Sequence, residues 1–377
     1  MLLGKMILQP KGFKAYVPEK FPPEGLVTLD NEMVKLLSQA DLALGKLDGI
    51  TQLLPDLDFF IFMYVRKEAT LSSQIEGTGA TMADAIKADV GVTENLPKDV
   101  DDILHYIQAM NYGLNRLQTL PLSLRLIREV HNVLLTNARS DHFAGPGEFR
   151  NSQNWIGGNS PATAKFVPPP VDDMKRGLDD LEKFIYKESD LPPLIKTALI
   201  HSQFETIHPF LDGNGRTGRL LVTFFLCQQG ILEKPVLYLS EYFKKNRDIY
   251  FELLHSYHFS KNSIDVSRWI KFFLQGVCAV ANDAITSSKQ ITNIQKSDMA
   301  KVSVFGRSSE TGMKVLEQMY KLPIVNVRKI EEWTGLSRVA ANRLINKFIK
   351  AGILHQQDQS VKYGRMFEHK EYLKIFN

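Results

Sequence analysis

The sequence predicts an all-α body, broken once by a β-hairpin and followed by a small helical domain with a β-wing. Three observations carry this expectation. Apolar residues recur at helical spacing through most of the chain up to Ala284. That spacing lapses in 144–170, where Gly145-Pro146-Gly147, Trp155-Ile156-Gly157-Gly158 and Pro168-Pro169-Pro170 break any helix. The charge balance then changes. Residues 301–377 hold 14 Lys/Arg and 7 Asp/Glu, a net +7 against +4 for the whole chain, so the preceding 300 residues carry −3. A mildly acidic body with a basic end points to a nucleic-acid contact at the C-terminus.

With 377 residues, 44% hydrophobic and 23% charged, the chain has the composition of a globular protein with room for two or three domains. Its two cysteines, Cys227 and Cys278, lie in apolar segments, which excludes a disulfide framework and fits a reducing compartment. No apolar run reaches membrane-spanning length, and the first ten residues lack the apolar core of a signal peptide. A cytoplasmic protein without a membrane partner is expected.

Residues 1–30, rich in Pro, Lys and Phe without periodicity, read as an arm over the body. A helix is expected over Asn31–Leu47, with Leu36, Leu37, Ala40 and Leu44 on one face. The next begins after Pro55, capped by Asp56, and runs towards Gln74, where Gly77 suits a left-handed closing position. Thr81 and Asp84 are spaced as a capping pair for a helix to Val90. Amphipathic helices follow over Asp99–Gln118 and Leu122–Leu135, and Asn154–Val167 fits a short hairpin. Further helices are expected over Met174–Tyr186, after Pro192-Pro193, near Asn246–His255 and over Ser267–Ala284, with Val236–Leu239 a short strand or turn. The His255/His258 pair lacks further ligands and reads as structural. Residues 285–310 read as a helix running into a polar linker.

The helix after Pro193 delivers the most informative stretch, His208-Pro209-Phe210-Leu211-Asp212-Gly213-Asn214-Gly215-Arg216-Thr217-Gly218-Arg219. The Gly-Asn-Gly turn opens a buried helix, and a helix opening presents unpaired N–H groups and a positive dipole end to a phosphate. Arg216 and Arg219 are three residues apart and share a helix face, so both can grip anionic oxygens. His208 is the neighbouring group able to take a proton near neutral pH. Base, acidic metal ligand, anion hole and two arginines suit phosphoryl or nucleotidyl transfer.

This stretch resembles the Fic family signature, H-x-F-x-[D/E]-G-N-G-R-x-x-R, at every specified position. Ser72-x-x-x-Glu76-Gly77 likewise resembles the inhibitory motif of the subclass whose inhibitory helix precedes the signature in the same chain. The resemblance implies a Fic helical bundle with a hairpin flap and a protein adenylyltransferase activity. ATP would be the substrate, with Mg²⁺ on Asp212, His208 as catalytic base, and Gly213, Asn214, Gly215, Arg216, Thr217, Gly218 and Arg219 holding the phosphates. Tyr242 and Tyr250 would line the adenine pocket; Trp155, Ile156, Gly157 and Gly158 would form the flap that pairs with a target segment. Ser72, Glu76 and Gly77 would be inhibitory, Glu76 denying Arg219 to the γ-phosphate. The acceptor would be a Ser, Thr or Tyr hydroxyl of a protein, including this one.

The last segment resembles a winged helix-turn-helix domain. It combines helices over Thr311–Tyr320, Val327–Trp333 and Ser337–Ala351 with a turn-rich wing over Gln356–Phe367. Arg338, Asn342, Arg343, Asn346 and Lys347 are expected to face outward, towards DNA or a protein. The expected organisation is an arm and helix over 1–55, the Fic body over 56–284, a linker over 285–310 and the tail domain over 311–377. Two other readings stay open. One is a DNA-binding regulator whose body only senses a nucleotide. The other is an enzyme of this fold that transfers a different phosphate-containing group or removes AMP.

Overall fold

The structure, a computed structural model, describes residues 3–52, 57–92, 96–137, 145–188, 190–260 and 262–376. The arm is an antiparallel hairpin of β1 (Gly4–Leu8) and β2 (Lys14–Pro18), in a register that pairs Gly4 with Pro18. Its strands are short and half exposed, so no alternating pattern marks them in the sequence. Tyr16 fixes the hairpin to the body. Its N–H donates to the Val167 carbonyl at 2.9 Å and its buried ring lies 5.7 Å from that of Phe166.

Helix α1 (Asn31–Gln52) packs along α11 (Ser263–Ser303), and α2 (Leu57–Ile75) crosses the body towards the signature. The expected cap Asp56 lies outside the described residues. Thr81 forms the expected capping box with Asp84 at the start of α3 (Met82–Asp89). Helices α4 (Val100–Arg116) and α5 (Leu124–Leu135) pair beside it, followed by α6 (Val171–Tyr186). At the centre lie α7 (Pro193–Ile207) and α8 (Asn214–Gln228). Every residue of α7 from Leu194 to Ile207 is buried, the state expected of a helix without a solvent face. A buried carboxyl on α2 ties three elements together. Glu68 accepts from Tyr106 Oη of α4 at 3.0 Å and from Ser240 Oγ at 2.6 Å, where α9 (Ser240–Lys245) begins.

Two expectations need adjustment. The Asn154–Val167 hairpin closes on a single antiparallel bridge, Ile156 to Phe166, and Val236–Leu239 is irregular. The expected linker is largely helix, because α11 continues unbroken to Ser303. Its polar composition misleads. Ser287 and Ser288 are buried, and the Ser288 hydroxyl is satisfied by the Ile285 carbonyl at 2.8 Å, so serine packs there as a small residue.

After a 3₁₀ turn (Gly306–Ser308), the C-terminal region comprises α12 (Ser309–Lys321), β3 (Ile324–Asn326), α13 (Val327–Thr334), α14 (Arg338–Lys350), β4 (His355–Gln356), β5 (Met366–Glu368) and α15 (Lys370–Leu373). The strands form one antiparallel sheet in the order β3-β5-β4, and Ser337 caps α14. On α14, Arg338, Arg343 and Asn346 are exposed. Lys347 is not an outward-facing residue. Its Nζ turns back to the Phe305 carbonyl at 2.7 Å and Ser308 Oγ at 3.0 Å, closing the turn before α12.

This region docks on the body through buried groups. Asp298 of α11 accepts from Tyr320 Oη at 2.8 Å and meets His369 Nε2 at 2.7 Å. Tyr320 stacks on Phe59, and Phe376 meets Tyr64 edge-on; both partners belong to α2. Burial opposes ionisation of Asp298, but the bonds from His369 and Tyr320 outweigh it and hold its carboxyl below the ordinary range. The carboxylate's stabilising contribution is therefore present above the ordinary aspartate pKa of about 4 and is lost as pH falls through the lower folded value. Asp298→Ala should cost about 3–5 kcal/mol of docking stability, the usual effect of breaking a buried pair. Thermal unfolding and limited proteolysis near 303–309 measure this; an unchanged melting profile would show that the aromatic contacts alone hold the region.

Candidate active site

The signature forms the turn between α7 and α8. His208 ends α7 in the left-handed conformation, φ 48° and ψ 61°, which costs a non-glycine residue about 1–2 kcal/mol. Inside the turn, Asn214 binds both polar groups of Phe210, accepting from its N–H at 2.9 Å and donating to its carbonyl at 2.9 Å. Phe210 is buried and stacks flat on His131, with ring centroids 3.6 Å apart. His131 Nδ1 accepts from Gly147 N–H at 2.9 Å, so its proton sits on Nε2, which donates to the Asp212 carbonyl at 3.0 Å. Thus α5, the 145–150 segment and the turn are locked together before any ligand arrives.

Two adjoining cavities open on this turn. A small one of about 100 Å³ is lined by Glu76, His208 and Leu211–Arg216, at the open N-terminus of α8. A larger one of about 810 Å³ lies between the turn, the 156–166 hairpin and α10 (Arg247–His258). Glu76, His208 and Gly215 line both, so one elongated anion with an organic end can span them. A Cβ at Gly215 would meet the Glu76 carboxylate and the Arg219 guanidinium, so the glycine leaves room for that pair.

Arg219 is 3% exposed and bonded by α2. Its Nη2 donates to Glu76 Oε1 at 2.8 Å and to the Ser72 carbonyl at 3.0 Å, and its Nε donates to Ser72 Oγ at 2.8 Å. Ser72 is thus a direct partner of Arg219. Gly77, at φ 100°, ends α2 just past Glu76. Arg216 reaches Asp102 of α4 and Asp212, both at 3.7 Å. The Asp212 carboxylate is partly open to solvent and accepts from Gly213 N–H at 2.7 Å.

Burial, reinforced by the positive charge of Arg150, lowers the His208 pKa to about 4 and keeps its imidazole neutral. Three residues before it, Glu205 has its Oε2 4.0 Å from His208 Nδ1, and its other oxygen is buried without a partner. Burial pushes the Glu205 carboxyl up to about 8, against the pull of Arg219.

Of the phosphate-site residues expected from the sequence, Gly213, Asn214, Gly215, Arg216 and Arg219 line the cavities. Thr217 and Gly218 do not: both are buried on the far side of the first turn, Gly218 against Phe204 and Glu205. Tyr242 is also absent from the lining, since it packs on Phe272 and over Gly276. Tyr250 borders the larger cavity, but it is 1% exposed and its hydroxyl bonds His201 Nε2 at 2.9 Å, so it walls the cavity and offers it no polar group. In the hairpin, Ile156 and Gly157 border the cavity, whereas Trp155 and Gly158 lie outside it.

Several lining residues were missed. Glu205 is at i−3 from His208, a spacing that places both on one helix face and would have flagged it. His258, read as structural, lines the larger cavity, stacked at 4.1 Å on Phe166 with neither ring nitrogen bonded. Arg247 and Lys165 also border it, and nothing in their sequence context marks them.

Comparison with known proteins agrees with this geometry. Residues 34–115 match the Fic/DOC family N-terminal region, and residues 121–226 match the Fic/DOC family domain. The chain is similar to protein adenylyltransferase Fic of Drosophila yakuba, 31% identical over 206 residues, 52% of this chain and 37% of that protein. Its similarity to the Drosophila grimshawi protein of the same name is 32% over 206 residues, 52% of this chain and 38% of the other. The chain therefore spans less than two-fifths of these relatives. Among solved structures, a Fic family protein from Desulfovibrio desulfuricans shares the fold at 16% identity and TM-score 0.58, over 92% of this chain and 98% of that one. A Fic domain-containing signaling protein from Bacteroides thetaiotaomicron does so at 22% identity and TM-score 0.54, over 69% and 97%. The signature turn, the two matched regions and the shared fold place this chain in the Fic/DOC family.

Proposed function

We propose that the protein transfers AMP from ATP to a hydroxyl of a protein. The observation that carries this reading is one half-buried histidine, held neutral, at the junction of an anion-sized and a nucleoside-sized cavity. The N–H groups at the start of α8 face the small cavity and suit polyphosphate oxygens, with Arg216 and Arg219 beside them. The larger cavity accommodates the nucleoside. Asp212 fits Mg²⁺, which usually takes one or two carboxylates and completes its shell with phosphate oxygens and water; Mg²⁺ would neutralise polyphosphate charge. His208 accepts the proton of the acceptor hydroxyl, whose oxygen attacks the α-phosphorus as pyrophosphate leaves. The 156–166 hairpin serves as the flap that orients the target backbone beside His208.

In this reading Glu76 and Ser72 are inhibitory. The Glu76 carboxylate occupies the guanidinium that a γ-phosphate needs, and it presents a like charge to the same cavity. The 311–377 region, with its order of helices and a three-stranded sheet, is read as a winged helix-turn-helix module that contacts DNA through α14.

Three outcomes are expected. His208→Ala should retain ATP binding and lower AMP transfer by ~10²–10⁴-fold, measured by mass spectrometry of the modified protein; undiminished transfer would remove His208 from the chemistry. Glu76→Gly should raise transfer at saturating ATP and Mg²⁺, and Ser72→Ala should give a smaller rise, since it leaves the charge pair in place. The Glu76→Gly, His208→Ala double variant should return to background. A Glu76→Gly protein no faster than the parent would end the inhibitory reading. In the tail, Arg343→Ala should flatten the log–log salt dependence of DNA binding by about one unit if Arg343 meets a phosphate. Lys347→Ala should leave it unchanged, because that amine is already held within the chain. No DNA binding at low salt would redirect the search to a protein partner.

A further inference from the structure

Arg150 is buried, 2% exposed, and it makes no ion pair among the described residues. Main-chain carbonyls receive its donors instead. Nε donates to the His208 carbonyl at 2.9 Å, Nη1 to Ser152 at 3.1 Å, and Nη2 to Pro169 at 2.5 Å and Ile207 at 3.5 Å. Its own N–H donates to the Pro209 carbonyl at 2.9 Å. A second tie reaches the same place, since Asn154 Nδ2 donates to the His208 carbonyl at 3.3 Å and to that of Phe210 at 2.8 Å.

These bonds converge where the chain needs restraint. The left-handed backbone at His208 stops α7 and sets the direction of its imidazole, and that conformation persists only if its surroundings over-determine it. Three carbonyls released by the end of α7 (Ile207, His208 and Pro209) are met by one residue. Ser152 and Pro169 lie on the two chain segments that lead into and out of the hairpin, so the same guanidinium joins both feet of the hairpin to the histidine. A neutral amide could satisfy at most two of these acceptors, whereas the planar guanidinium fork reaches all of them.

We propose that Arg150 is a positioning residue for His208, holding its backbone in the left-handed conformation and coupling it to the two feet of the flap. The proposal rests on the reading of His208 as the base. Burial pulls the Arg150 pKa down to about 10, still well above neutrality, so the side chain keeps its charge and all its donors during the reaction. The charge also disfavours a proton on the imidazole, which keeps His208 ready to accept one.

The test uses the full chain in a Glu76→Gly background, comparing the parent with Arg150→Gln, Arg150→Lys and Asn154→Ala. Arg150→Gln should lower kcat for AMP transfer by on the order of 10²-fold, the effect of misplacing a reacting group by about 1 Å, with ATP affinity within about twofold. Arg150→Lys, which keeps the charge and one donor group, should recover part of kcat, and Asn154→Ala should show the same split with a smaller loss. Equal loss of kcat and ATP affinity would overturn the proposal by assigning Arg150 a general structural role, as would an unchanged kcat. A crystal structure of Arg150→Gln provides a readout without turnover. His208 should leave the left-handed region or lose its order; a retained backbone at His208 overturns the proposal even if the parent transfers no AMP. An inactive parent would count against the base reading alone. If Arg150→Gln does not fold, Arg150→Lys and Asn154→Ala decide by the same kcat and affinity comparison.

Discussion

Arg219 is a cation with almost no access to water, and the architecture around it follows from that constraint. A buried guanidinium left unpaired costs several kcal/mol, so some anion or set of acceptors must always face it. In this structure α2 supplies them, with a carboxylate, a hydroxyl and a carbonyl delivered from one helical turn. This requires α2 to end at the mouth of the cavity, and Glu68, bound by Tyr106 and Ser240, fixes the helix one turn earlier. In the proposed function a polyphosphate would exchange one negative partner of Arg219 for another, beside the Glu76 and Gly215 that border both cavities.

Much of this was legible in the sequence because the signature is local. Histidine, turn, helix opening and arginines fall within twelve consecutive residues, and helix geometry brings them to the two adjoining cavities. The Glu76 contact was legible only through a resemblance, since Glu76 and Arg219 are 143 residues apart. Residue type alone carries no direction. Thr217 and Gly218 belong to the signature but lie on the buried side of α8, and Tyr242 is aromatic and near the pocket yet faces α11. The place of His258 in the lining was invisible for a related reason. An imidazole stacked on Phe166 across the cavity leaves no trace in the spacing of either residue.

The N-terminal hairpin and the tail show a second limit. Short, mostly exposed strands such as β1 carry little periodicity, and the placement of the hairpin depends on contacts with Val167 and Phe166 far along the chain. The basic character of 301–377 sets this region apart in composition, yet it does not show that Lys347 serves an internal turn. Net charge describes a region, whereas each amine has its own geometry.

The unbroken course of α11 has a consequence for how body and tail are phased. At 1.5 Å per residue its 41 residues make a strut about 60 Å long, anchored in the body by the Trp269 indole on the Ala198 carbonyl and in the tail by Asp298. Each residue added to or removed from such a strut turns everything beyond it by about 100°. Insertions are thus tolerable in whole turns at most, and a single extra residue between the two anchors would swing the exposed face of α14 to another side of the molecule. The helix acts as an angular gauge, fixing which way the tail looks when the cavity faces its substrate.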